Sequence, residues 1–220
     1  MALVFLAILV GHAWIRVNYP RRVNQLFSAA FNIRLMRQLM REELALGHRG
    51  SIVLTGAFLM IFSLAVYLTM KYLDWTFLPF DGGLAYLALF GCITVIYLLK
   101  SIWIGLLRWI VEGDFSLSEY NFNVYLFFKI LGIILIPLTL LLALTPPMVY
   151  DTESQLIHSS SVHQVLLFMT LGTMVIAYIM RLMRGVTNAL QHGVNLIYII
   201  FYLCTLEFLP VALSIKLMNF

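Results

Sequence analysis

Long apolar runs with almost no charge alternate in this chain with short stretches that hold all ten arginines, in 16–49, at 108 and in 181–184. That alternation limits the fold more than any motif does. A run of about 20 apolar residues crosses hydrocarbon as an α-helix, and inside a bilayer only helices and closed barrels satisfy every backbone polar group. Arginine beside such a run is held at the cytoplasmic face by anionic lipid and the membrane potential. The pattern therefore predicts an all-α polytopic membrane bundle and its orientation together.

Composition points the same way. Of 220 residues, 62% are hydrophobic and 11% charged, more apolar side chain than one soluble core of this size encloses. The net charge of +4 does not imply nucleic acid, because the basic residues flank spans rather than forming a polar domain. Inner-leaflet anionic headgroups are the simpler partner. Cys92 and Cys204 lie within apolar runs, so no disulfide framework is implied.

Six spans are expected, near 1–15, 52–70, 84–107, 123–145, 165–180 and 194–215, in a single integral membrane domain over 1–220. The first run has no basic residue before it and no clear cleavage site, and Arg16, Arg21 and Arg22 follow it. It reads as an uncleaved helix with its N-terminus outside. Its length lies near the lower limit of about 17 residues for a crossing. With every arginine cytoplasmic, both termini are expected to be periplasmic and the short outer loops hold Asp74, Asp81, Asp151 and Glu153.

The largest piece between spans is 22–46. Val23, Leu26, Phe27, Ala30 and Phe31, then Leu35, Met36, Leu39 and Met40, recur at helical spacing, with Arg34, Arg37 and Arg41 opposite them. One interfacial amphipathic helix is expected on the cytoplasmic side, its apolar face in acyl chains and its arginines toward phosphate. Together with Arg16, Arg21 and Arg22, these guanidinium groups alternatively dock a partner or hold an acidic lipid-linked substrate. Pro20 before them fixes the backbone where the first span ends.

Glu207 is the sharpest intramembrane signal, since a carboxylate within the last span must be neutral, paired or wet. Pro210 crowds the carbonyl of Leu206 and bends the helix beside it. Lys129 and Lys100 are candidate partners, although lysine stems near helix ends reach outward, here toward the cytoplasmic face. The alternative is a proton, ion or substrate site. Loop 150–163 holds Asp151, Glu153, His158 and His163 with three serines, at spacings that define neither a metal site nor a hydrolytic centre. His12, His48 and His192 are solitary, and known catalytic and nucleotide-binding motifs do not occur, so no metal, cofactor or catalytic residue is assigned.

Arg16-Val17-Asn18-Tyr19-Pro20-Arg21, Arg41-Glu42-Glu43, Phe122-Asn123-Val124 with Lys129, and Tyr202-Leu203-Cys204-Thr205-Leu206-Glu207 before Pro210 together resemble a bacterial multi-pass family of unknown function found mainly in Bacteroidota. The resemblance covers nearly the whole chain, and its last motif is the most specific. It implies an inner-membrane protein of a diderm bacterium and carries no activity with it.

Three functions remain open. The first is a non-catalytic subunit or assembly factor of an inner-membrane complex for envelope biogenesis or protein export, whose partners are other membrane subunits. The second is a carrier or scramblase for a lipid or small solute that uses Glu207 at the kinked last span. The third is an intramembrane enzyme holding a lipid-linked phosphate on Arg34, Arg37 and Arg41. Glu42 and Glu43, adjacent on a helix, point about 100° apart and form no ready dyad for it.

Overall fold

The computed structural model of the chain describes residues 2–18, 20–46, 49–73, 82–110, 115–145 and 160–191. These residues form seven α-helices: α1 (Ala2–Asn18), α2 (Pro20–Phe31), α3 (Ile33–Leu46), α4 (Arg49–Tyr72), α5 (Gly83–Ile110), α6 (Phe115–Leu144) and α7 (Ser160–Gln191).

Four of them are long and apolar enough to cross a membrane, with windows at Gly50–Tyr72, Gly83–Trp103, Asn121–Leu144 and Val162–Thr187. They correspond to four of the six expected spans. The first expected span is α1, an apolar helix of 17 residues, which is about 26 Å long against ~30 Å of hydrocarbon. The last, 194–215, lies outside the described residues.

Helices α1, α5 and α6 all pack on α4, and α7 packs on α6. The middle of the bundle is apolar: Phe5 and Ile8 of α1, Phe58, Ile61 and Leu64 of α4, Tyr86 of α5, and Leu131 and Leu135 of α6. Lipid is as apolar as these side chains, so helices associate through close fit rather than through escape from water. Gly132 supplies that fit. A Cβ there would stand 2.9 Å from Phe58 Cβ and 3.0 Å from its Cα, so only glycine lets α6 run this close to α4. Beside it the rings of Phe58 and Phe128 stack at 5.0 Å.

Several serine and threonine hydroxyls in the spans are satisfied within their own helices. Ser63 donates to the Leu59 carbonyl, Thr69 to Ala65, Thr94 to Phe90 and Thr139 to Leu135, each one turn back. This removes the penalty of an unpaired hydroxyl in hydrocarbon.

The single amphipathic helix expected over 22–46 is instead two helices, broken at Asn32. The Asn32 amide still donates to the Ser28 carbonyl and its carbonyl still accepts from Met36. Its side chain, however, takes the N-cap position of α3, where Oδ1 accepts the Arg34 backbone N–H at 3.0 Å. Asparagine favours such local bonds over helix continuity. Pro20 opens α2 at a position where a missing N–H does no harm.

A second correction concerns the apolar face of this pair. Leu26, Ala29 and Ala30 of α2 with Met36 and Leu39 of α3 are buried against Ile15, Leu54, Leu126 and Ile130 of α1, α4 and α6. Most of the face expected to enter acyl chains is covered by protein, because the break folds α2 and α3 onto the span ends, while Phe31 and Leu35 stay exposed.

The expected span 165–180 lies within a longer helix. α7 continues unbroken to Gln191, which places Arg181 and Arg184 on a helical face rather than in a headgroup loop.

Candidate functional site

Helix α6 starts well before its apolar stretch, so Glu119 and Asn123 stand one turn apart where the helix enters the bundle. Both are buried, Glu119 completely. Arg37 of α3 meets the carboxylate at two points: Nε forms an ion pair 2.7 Å from Oε1, and Nη2 donates to Oε2 at 3.3 Å. The guanidinium side chain keeps 37% of its exposure while the carboxylate keeps none. The pair therefore ties α3 to α6 with one end dry and the other partly open.

A second arginine ties α7 to α2. Helix α2 ends at Phe31 and leaves its last carbonyls without intrahelical donors. Arg184 Nη1 donates to the Ala29 carbonyl at 2.8 Å and also to that of Ala30. A cation at a helix C-terminus also matches the negative end of the macrodipole. One turn earlier Arg181 is buried, its Cζ 5.3 Å from the Phe128 ring centroid and 5.0 Å from that of Tyr178. Arginine is weakly hydrated and stacks well on aromatic faces, which suits it to this position.

Arg37, Arg181 and Arg184 therefore make contacts within the protein, which for Arg37 replaces the expected contact with headgroups or a docking partner. Arg16, Arg34 and Arg41 are exposed. Arg21 and Arg22 stand at the start of α2, and their side chains lie outside the described residues, as do those of Glu42 and Glu43. The side chain of Arg108, near the end of α5, is likewise outside them.

Lys129 does not reach outward to the interface. It is buried on α6, 3% exposed, while Lys100 on α5 is partly buried, and both interact with neighbouring groups. Their proposed partner Glu207 and the adjacent Pro210 lie outside the described residues. Asn123 holds both side-chain polar atoms where they meet no hydrogen-bond partner among the described residues.

At the opposite end of the bundle, Thr145 Oγ1 lies 3.0 Å from His163 Nδ1, and the His163 ring centroid is 5.0 Å from that of Tyr72. These contacts join the end of α4, the end of α6 and the start of α7. Asp151, Glu153 and His158 lie outside the described residues, and no group of three or more His, Cys, Asp or Glu that could hold a metal occurs among the described ones.

Sequence reasoning missed Glu119 because it began the span at Asn123. Two signals were present. Ser116 and Glu119 have the spacing of a capping box, and Glu119 and Asn123 share a face at i, i+4.

No curated protein and no solved structure matches the chain. Residues 1–218 match the family model described as a domain of unknown function, DUF4271, and the chain belongs to that family.

Proposed function

We propose that the protein is a non-catalytic integral subunit or assembly factor of an inner-membrane complex in a diderm bacterium, of a family centred in Bacteroidota, serving envelope biogenesis or protein export. In this reading α1 and 194–215 complete six crossings, the arginine-bearing end is cytoplasmic and both termini are periplasmic. The observation that carries it is the use made of buried charge. Arg37, Glu119 and Arg184 join the α2–α3 pair to the spans, which suits a rigid platform at the cytoplasmic face. Intramembrane ionisable groups are otherwise the usual means of moving protons or substrate.

Crosslinking at native expression, mild-detergent purification and mass spectrometry test the reading. A stoichiometric membrane partner is expected. Recovery of the protein alone, with and without crosslinker, overturns it. If Glu207→Gln abolishes lipid or solute flux in reconstituted vesicles at unchanged folded yield, the carrier reading takes its place.

A further inference from the structure

With its inner face packed on the bundle, α3 presents a different face outward. Arg34, Leu35, Gln38 and Arg41 are all exposed and follow one another at helical spacing along one side. Phe31, the last residue of α2, stands just before them at 78% exposure, and Leu35 is 38% exposed. An aromatic and an aliphatic side chain thus lie beside two arginines that hold no ion pair among the described residues. Arg37, on the turn between Arg34 and Arg41, is drawn to Glu119 instead.

The height of this face relative to the spans is fixed from two sides. Arg37 meets Glu119 two residues before the apolar window Asn121–Leu144 begins, and Arg184, which holds the end of α2, lies three residues before the window Val162–Thr187 ends. Phe31 and Arg34 therefore sit where hydrocarbon gives way to headgroups. An exposed Phe at that depth is favoured in acyl chains, while guanidinium groups bind phosphate oxygens in bidentate fashion.

We propose that Phe31, Arg34, Leu35 and Arg41 form a seat for anionic phospholipid, in which Phe31 and Leu35 enter the acyl region and the two arginines hold headgroup phosphates. The seat rests on the membrane placement of the four spans and is independent of the subunit role. It keeps only Phe31 and Leu35 of the lipid-facing stripe expected from the sequence, most of which is inside the protein.

The test uses the full chain in nanodiscs of phosphatidylcholine with and without phosphatidylglycerol, with retained lipid counted by native mass spectrometry. The wild type is expected to retain phosphatidylglycerol preferentially. Arg34→Gln and Arg41→Gln should each lower that preference by about fivefold, as expected for a basic residue at an anionic surface. An unchanged preference in the double variant overturns the proposal, as does displacement of the lipid by millimolar inorganic phosphate. A second measurement holds even if lipid counts are lost in detergent. A spin label at Phe31→Cys, in a chain with Cys92→Ser and Cys204→Ser, is expected to collide with oxygen more than with a water-soluble nickel chelate. The reverse order places Phe31 in water and overturns the seat. Both readouts are indifferent to whether a protein partner copurifies, so failure here is distinguishable from failure of the subunit reading.

Discussion

In the middle of the bundle α4 and α6 are joined by an absence of side chain, with Gly132 against the backbone of Phe58. At the arginine-bearing end α3 and α6 are joined by charge, with Arg37 on a carboxylate that has no exposure. The two joints suit the depths that four helices apolar enough to cross a membrane imply for them. In hydrocarbon, apolar groups gain nothing by leaving lipid, so close backbone approach and dispersion hold helices together. Near the headgroups, water is close enough to solvate part of an arginine, and an ion pair can form without stranding both charges. The apolar joint tolerates no added atom, and the ionic joint does not tolerate loss of the arginine that meets its dry carboxylate.

The largest effect expected from breaking this contrast comes from Arg37→Met. It leaves Glu119 fully buried without its arginine, a change that costs about 3 to 5 kcal/mol. The loss should appear in SDS or thermal unfolding of the purified protein. Glu119→Gln should cost clearly less, because the partly exposed Arg37 can turn to water. Equal losses for the two variants would show that both ends of the pair are equally dry. The double change Arg37→Met with Glu119→Met should recover most of the stability.

Gly132→Ala comes next. Its methyl group meets α4 backbone rather than a movable side-chain tip, and overpacking of this kind costs about 1 to 3 kcal/mol. Gly91→Ala on α5, where nothing lies within 4 Å of the added Cβ, is the matched control and should be neutral or slightly stabilising. If the two behave alike, the α4–α6 contact is looser than its geometry.

Arg184→Gln removes the cation from the end of α2. Charged hydrogen bonds are worth about 1.5 to 3 kcal/mol, and because Arg184 is only partly buried the lower value is expected. Hydrogen exchange should rise over α2 and stay level in the middle of α4. Asn32→Ala is the mildest change, at about 1 kcal/mol for a lost N-cap. Faster exchange should be confined to the first turn of α3, and an effect that spreads into α6 would mean that the break also positions Arg37.

Much of this architecture is legible in the sequence. The apolar windows of α4 to α7 stand out because a span needs only length and uniform apolarity, both of which are local. Pro20 marks the start of α2 for an equally local reason. The amphipathic periodicity of 22–46 was also visible, but periodicity reports only that one face avoids water. It does not say whether lipid or protein covers that face. The break at Asn32 was hidden because asparagine is compatible with either a helix interior or a cap. Glu119 was obscured by beginning the fourth span at Asn123. The positions of Arg181, buried, and Arg184, partly buried, were obscured by ending their helix at Met180.

The sequence by itself determined that the chain is helical, that at least four of its helices suit a membrane, and where its basic residues gather. These properties follow from transfer free energies and backbone hydrogen bonding, which act residue by residue. Which charges meet was decided only by the tertiary structure. Arg37 and Glu119 are 82 positions apart, and no local rule distinguishes Arg37, drawn into an ion pair, from Arg34 and Arg41, left facing outward. The helix break at Asn32 and the packing of α2 and α3 against the span ends make that distinction, because an ion pair depends on where two helices are held rather than on what either one contains.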